Sequence, residues 1–217
     1  MKLSEFKNYY LYPAFALELI TLILQCYIAF GAKDSGIHTA FKLTTFFTIN
    51  SNALLLICYF QLIRNNTEFW NRANTTTALL TYISFVCIVY HVMLQDTWNP
   101  QGLQFWVSEL FHWINPLIYF IFWLIFVNKE DLVFRQIAGW LIFPTIYFIW
   151  VLCIGAFGLG YPYPFLNVDK FGLFNVIMNG FVLLFVLTSI AALLILIGKN
   201  FPIKNVNKAD TSQNNSY

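Results

Sequence analysis

Six long apolar segments constrain the fold of this chain more than any other feature. They cover residues 11–32, 40–63, 76–95, 103–127, 137–157 and 173–197. Each is about 20 residues or longer, the length that an α-helix needs to cross a hydrocarbon core of about 30 Å. The segments show no alternation of period two, so a membrane β-barrel is not indicated. The sequence predicts an all-α polytopic membrane protein with a bundle of six transmembrane helices at 1–198.

The composition supports a membrane protein and excludes several other classes. Of the 217 residues, 59% are hydrophobic and 10% are charged, whereas a soluble domain carries about 25% charged residues. The formal net charge is only +2, so there is no basic field of the kind that nucleic acids attract. The polar tail at 199–217 is too short for a soluble domain, and we expect it to be cytoplasmic and disordered.

The positions of the basic residues predict the orientation in the membrane. With six spans, nine of the 12 Lys and Arg residues fall on one side and three on the other. The first set is Lys2, Lys7, Arg64, Arg72, Lys129, Arg135, Lys199, Lys204 and Lys208, and the second is Lys33, Lys42 and Lys170. Because cytoplasmic loops carry the excess of basic residues, both termini are expected in the cytoplasm.

Neither a metal nor a cofactor is expected from the sequence. The four cysteines lie in apolar segments and form no CxxC pair, so neither a zinc knuckle nor a redox dithiol is indicated. The alternative is a metal site built from His91, His112 and Glu109, or a haem held by two of the three histidines.

Helix two carries a dense run of polar residues at membrane depth. Thr45, Thr48 and Asn52 repeat at three and four residues, so they share one helix face, and Thr44 and Ser51 lie at its edge. Such residues commonly hydrogen-bond between transmembrane helices. They are also candidates for the wall of a polar pocket.

Helix four carries a second polar group. Ser108, His112 and Asn115 lie on one face, and Glu109 is three residues before His112. A carboxylate in that position could orient the imidazole and raise its basicity. Pro116 cannot donate to the carbonyl of His112, which frees that carbonyl for another contact.

The two polar groups are expected at the same depth. Thr48 lies about eight residues from the outer end of helix two, and His112 about nine from the outer end of helix four, or roughly 12–14 Å. His91 is near the outer end of helix three, where it could join the same pocket or reach the membrane interface. The longest outer loop contains Tyr161-Pro162-Tyr163-Pro164-Phe165-Leu166, and we expect it to cover the outer end of the bundle.

Three motifs carry a resemblance to a known family. The stretch FFTINSNALL at 46–55, HWINP at 112–116 and YPYPFL at 161–166 resemble the androgen-induced-gene / androgen-dependent TFPI-regulating protein family, and most of all its bacterial six-helix relatives. That family comprises multipass hydrolases of fatty acid esters of hydroxy fatty acids. The resemblance implies a threonine nucleophile at Thr48, a histidine at His112 and a bacterial plasma-membrane location, with Thr45 or Ser51 as alternative matches for the nucleophile.

The sequence therefore leads to two functional hypotheses. The first is an intramembrane hydrolase of lipid-like esters, in which His112 activates Thr48, Glu109 orients His112, and Asn52 or Asn115 stabilises the oxyanion. The second is a non-catalytic multipass protein, either a transporter or a scaffold. Membrane lipids or a lipid-like substrate are the expected partners, and the sequence leaves the oligomeric state open.

Overall fold

The computed structural model describes residues 3–31, 36–64 and 68–201, and nearly all of them are helical. The helices are α1 (Leu3–Gly31), α2 (Gly36–Thr44), α3 (Phe47–Ile63), α4 (Ala73–Thr97), α5 (Leu103–Phe126), α6 (Phe134–Leu159) and α7 (Val168–Asn200). A single helical turn at Glu68–Asn71 lies between α3 and α4. These ranges contain no strand, which confirms the predicted all-α class.

Five of the helices are long and apolar enough to cross a membrane, namely α1, α4, α5, α6 and α7. The bent pair of α2 and α3 is also long and apolar enough when the two helices are taken together, and it makes a sixth span if it is counted as one. The protein is therefore a polytopic α-helical membrane protein. The outer ends of the predicted segments fall within five residues of the helix ends, except that α1 begins at Leu3 and not at 11. Gly172, with φ 74°, breaks α7 just before the predicted start at 173.

The expectation of one continuous helix over 40–63 is wrong. The chain bends by 81° between α2 and α3. The hydroxyls of Thr44 and Thr45 donate to the carbonyls of Phe41 and Lys42, each at 2.7 Å, and Asn50 Nδ2 donates to the carbonyls of Thr44 at 2.7 Å and Phe46 at 2.9 Å. These side chains satisfy the carbonyls that a break leaves without helical partners, so the helix can end within an apolar environment.

Successive spans run in opposite directions and place polar side chains inside the bundle. We call the end where α1 ends and α3 begins the upper end, and the end where α3 ends and α4 begins the lower end. α1 packs against α3 and α5, and α4 packs against α3, α5 and α7. The helices are joined by interhelical hydrogen bonds, among them Trp123 Nε1 to Thr77 Oγ1 at 2.8 Å and Tyr82 Oη to the Trp140 carbonyl at 2.7 Å.

The outer surface of the bundle is strongly apolar. Large side chains that would be buried in a soluble protein are exposed, such as Tyr27 at 71%, Val92 at 77% and Phe185 at 72%. Buried positions include many hydroxyl and amide groups, such as Thr76, Thr81 and Asn52. This distribution is the one that a lipid environment favours, because lipid chains do not drive apolar side chains inward.

Among the described residues, the basic side chains gather at the lower end. Lys7, Arg64, Arg72, Lys129, Arg135 and Lys199 lie there, whereas only Lys42 and Lys170 lie at the upper end. The remaining basic residues, Lys2, Lys33, Lys204 and Lys208, are outside the described ranges, as is almost all of the tail predicted at 199–217.

Lys129 is the one of these residues that is almost completely buried, with 1% of its surface exposed. Its ammonium donates to the carbonyls of Leu124 at 3.0 Å and Val127 at 2.8 Å and lies 4.7 Å from the centre of the Trp123 ring. Burial lowers the pKa of Lys129 to about 8. The side chain thus satisfies carbonyls at the C-terminus of α5 that have no helical partner.

We predict that Lys129→Ala destabilises the protein by about 1–3 kcal/mol, because two buried carbonyls lose their donor. The thermal midpoint of the purified protein in detergent measures the effect. Arg135→Ala is the control, since Arg135 is an exposed basic residue at the same end. Equal midpoints for the two variants would contradict the capping role.

Candidate functional site

Two cavities in the upper half of the bundle meet at one group of side chains. The larger has a volume of about 530 Å³ and adjoins α1 and α2, and the smaller, about 70 Å³, lies among α4, α6 and α7. The residues that line both cavities are Thr48, Tyr90, Leu94, His112 and Tyr163. These five residues form the boundary between the cavities, which we call the partition. The structure therefore brings Thr48 and His112 to the same cavities.

The break before α3 gives Thr48 a special position. Thr48 is the second residue of α3, and Phe46 provides no side-chain cap. First-turn backbone N–H groups have no helical partner, and the helix dipole makes this end positive. The N–H of Phe47 donates to Tyr163 Oη at 3.1 Å. A hydroxyl at this place lies where the protein favours negative charge.

Of the three candidate nucleophiles, Thr48 lines both of these cavities, and Thr45 and Ser51 line neither. Thr45 uses its hydroxyl to end α2. Ser51 is 1% exposed, and its hydroxyl donates to the Phe47 carbonyl at 2.7 Å. The Thr48 hydroxyl lies within interaction range of the Tyr163 hydroxyl. The alternatives Thr45 and Ser51 are therefore less suited to meet a ligand.

His112 is held from two sides. Its Nδ1 lies 2.8 Å from the carbonyl of Ser108 and 3.2 Å from the Ser108 hydroxyl. Because a carbonyl can only accept, Nδ1 carries the hydrogen and Nε2 carries the lone pair. The Tyr90 ring stacks on the imidazole at 3.8 Å with an angle of 12°, and Tyr90 Oη accepts from the Ser108 hydroxyl at 3.1 Å. Among the described residues Nε2 has no hydrogen-bond partner, so it is free to act as a base.

Both helices that carry these rings are widened by a π-helical turn. One turn covers Tyr90–Leu94 in α4 and the other Leu110–Ile114 in α5. The Asn115 N–H donates to the Leu110 carbonyl, five residues back. Pro116 supports the second turn, because it lacks the N–H that an α-helix would direct to the His112 carbonyl. Single π-helical turns are frequent at functional sites.

Glu109 does not have the predicted orienting role. It is half-buried and forms no hydrogen bond or ion pair with the residues that the structure describes. Side chains on a helix lean back over the preceding turn, so the imidazole meets Ser108, four residues earlier. The orienting contacts come from Ser108 and Tyr90 instead.

Asn52 and Asn115 do not line either cavity, which contradicts their predicted role as oxyanion donors. Both are buried, and Asn52 Nδ2 donates to the Thr48 carbonyl at 2.7 Å. Asn52 Oδ1 and Asn115 Nδ2 are buried without a partner among the described residues. Neither amide therefore contacts these two cavities.

His91 is not part of the partition, because it lines neither cavity. Its Nδ1 lies 2.7 Å from the Cys87 carbonyl, and its ring contacts Trp113 with centres 4.5 Å apart. Nε2 is buried and unpartnered within the described chain. No three His, Cys, Asp or Glu side chains of the described ranges come together as a metal site.

The segment 161–166 packs on the upper end of the bundle, as predicted. Its Pro164–Leu166 turn is anchored by Leu166, 2% exposed, and by Asn179 Nδ2, which donates to the Phe165 carbonyl at 2.8 Å. The residues that line a cavity from this segment are Pro162, Tyr163, Pro164, Phe165 and Leu166. We call residues 161–166 the lid. Sequence reasoning placed the lid but missed Tyr163 and Tyr90, since aromatic residues near a membrane surface usually indicate only the interface.

Gly155 makes room for the lid. A Cβ at Gly155 would overlap the Tyr161 ring, so the ring keeps this position only beside a glycine. We predict that Gly155→Ala displaces Tyr161 and lowers the thermal midpoint. Gly139→Ala in the same helix is the control, because a Cβ there meets nothing within 4 Å. A Gly155→Ala protein as stable as Gly139→Ala, with the lid equally resistant to proteolysis, would contradict this packing.

Comparisons of the chain with family models, with curated proteins and with solved structures found no match. The site described above is therefore interpreted from its own geometry and chemistry.

Proposed function

We propose that the protein is an intramembrane hydrolase of lipid-like esters, with Thr48 as nucleophile and His112 as general base. The observation that carries this proposal is that the two residues line the same two cavities, while the Ser108 carbonyl at His112 Nδ1 leaves the lone pair on Nε2. A threonine hydroxyl needs such a base, because it is a weak nucleophile while it keeps its proton. The sequence motifs that resemble the fatty-acid-ester hydrolases support the same reaction class.

The contacts of His112 suit it to both proton transfers. Nε2 takes the proton as the Thr48 oxygen forms a bond to the ester carbon and the carbonyl π-electrons move to its oxygen. The imidazolium then gives that proton to the leaving alcohol when the ester C–O bond breaks. The Ser108 carbonyl at Nδ1 and the Tyr90 face both stabilise the imidazolium. Water, activated by the same Nε2, then hydrolyses the acyl-threonine.

The cavities favour a lipid-like substrate. The larger one, of about 530 Å³, is lined mostly by apolar side chains, with Gln25, Lys42 and Gln104 among its polar ones. Its volume is in the range of small-molecule sites. Lipid esters could enter from the membrane without crossing water. Fatty acid esters of hydroxy fatty acids are the class that the resemblance suggests.

The proposed orientation places the upper end, and hence the site, in the outer half of the membrane. It rests on the excess of basic residues on the lower side of the bundle. The sequence predicts nine there against three on the upper side, and among the described residues the numbers are six and two. Both termini would then be cytoplasmic, in the plasma membrane of a bacterium.

Labelling of single cysteines tests the orientation. In a background without the native cysteines, Lys170→Cys at the upper end should react with a membrane-impermeant maleimide added to intact cells. Asp131→Cys at the lower end should react only after the cells are opened. Protection of Lys170→Cys together with labelling of Asp131→Cys would reverse the assignment.

Substitutions of the proposed pair test the reaction. With a long-chain ester in detergent micelles, we expect His112→Ala to lower kcat by about 100- to 10,000-fold, and Thr48→Ala to abolish the acyl-enzyme. Ser51→Ala and Glu109→Gln should stay within a few-fold of the native rate, since neither side chain reaches the partition. An unchanged rate in Thr48→Ala would refute the nucleophile, and no hydrolysis by the native protein of any lipid ester would refute the function.

A further inference from the structure

Tyr163 places a lid hydroxyl directly beside the proposed nucleophile. It lines both cavities together with Thr48 and His112. Its Oη accepts from the Phe47 N–H at 3.1 Å, and it lies within interaction range of the Thr48 backbone and hydroxyl. The hydroxyl is therefore located at the positive end of α3, next to the atom that would attack the ester.

The phenol of Tyr163 is set up to donate a hydrogen bond. Its oxygen already accepts an N–H, and the nearby Tyr147 hydroxyl donates to the Thr45 carbonyl. Burial raises the pKa of Tyr163 above its ordinary value, although contacts with Thr48 and Phe47 oppose this. The proton stays on the oxygen at neutral pH. An N–H bonded to Oη also polarises the O–H and makes it a stronger donor.

Packing fixes the direction of the Tyr163 side chain. Its ring stacks on Phe165 at 5.3 Å with an angle of 6°, and it meets the edge of Phe46 at 6.1 Å with an angle of 90°. The Leu166 N–H donates to the Tyr163 carbonyl at 3.0 Å. Because a donor that is already held in place needs no reorganisation during the reaction, such a group stabilises developing charge effectively.

We infer that Tyr163 is the oxyanion donor of the site: its O–H binds the carbonyl oxygen of the ester as that oxygen becomes negative, so the lid supplies a catalytic residue. This inference rests on the proposed function. The hydroxyl keeps its proton throughout, and the oxyanion returns its electrons to the carbonyl when the alcohol leaves. Tyr163 thus takes the role of oxyanion donor that the sequence predicted for Asn52 or Asn115. The site is therefore complete only when the lid is seated on the bundle.

Kinetics of Tyr163→Phe test the inference, because this variant keeps the ring packing and removes only the hydroxyl. We expect kcat to fall by about 100- to 1,000-fold, with KM nearly unchanged. Tyr161→Phe is the matched control in the same lid, and it should retain the native rate because it keeps the ring that packs on Gly155. Equal kcat values for Tyr163→Phe and the native protein would overturn the inference.

A second measurement does not depend on turnover. A long-chain alkyl boronic acid mimics the tetrahedral intermediate when it bonds to the Thr48 oxygen, whereas the matching fatty alcohol does not. Tyr163→Phe should weaken binding of the boronic acid at least tenfold and leave binding of the alcohol unchanged. Equal weakening of both ligands would show a packing role and overturn the inference.

The two proposals fail in different ways. If Thr48→Ala is inactive while Tyr163→Phe works at the native rate, only the role of Tyr163 is lost. If the native protein hydrolyses no lipid ester, the hydrolase itself is refuted, and the role of Tyr163 falls with it. Should Tyr163→Phe fold poorly, 3-fluorotyrosine at position 163 keeps both hydrogen bonds and lowers the phenol pKa. The loss of activity at alkaline pH should then begin at a lower pH than in the native protein, and an unshifted profile would overturn the inference.

Discussion

The arrangement of the upper half depends on how the chain satisfies its backbone where α2 meets α3. A transmembrane helix that ends within an apolar environment leaves carbonyl and N–H groups that have no water to bind. Here the carbonyls accept hydrogen bonds from the hydroxyls of Thr44 and Thr45 and from the amide of Asn50. The N–H of Phe47 donates to the Tyr163 hydroxyl. The same contacts expose the positive end of α3 to the cavities. Structural capping and the chemistry proposed for Thr48 thus use one set of groups.

The all-α polytopic class could be predicted because long apolar helices depend on length and apolarity alone. The break at the start of α3 could not, since Thr, Ser and Asn are equally compatible with a continuous transmembrane helix, where they bond to their own backbone. Ser51 does this, bonding to the Phe47 carbonyl at 2.7 Å. Thr44 and Thr45 make similar local bonds, yet there they end a helix. Composition does not distinguish the two outcomes, because the partner that stabilises the break comes from the lid, 116 residues away.

The candidate site, too, could be predicted only in part. Equal depth along α3 and α5 correctly indicated that Thr48 and His112 would reach the same cavities. Helical spacing also placed Glu109, Asn52 and Asn115 there, but none of them lines either cavity. Asn52, in the regular helix α3, uses its amide on the Thr48 carbonyl, whereas for Asn115 a π-helical turn changes the angle between residues on either side of it. The turn at Leu110–Ile114 lies between Ser108 and Asn115. A face derived from 3.6 residues per turn therefore cannot hold across it, and Tyr90 in the neighbouring turn of α4 occupies the space beside His112.

The bend before α3 has a mechanical consequence. α2 runs at 81° to α3, and two of its large apolar side chains, Ile37 and Phe41, are exposed at 76% and 46%. A short helix across the bundle end with apolar side chains outward is suited to a position among the lipid headgroups. Thr48 follows the end of α2 by only four residues, so a tilt of α2 moves the start of α3. In that position α2 would meet the lateral pressure and curvature of the bilayer, and the geometry around Thr48 would respond to the physical state of the surrounding lipid.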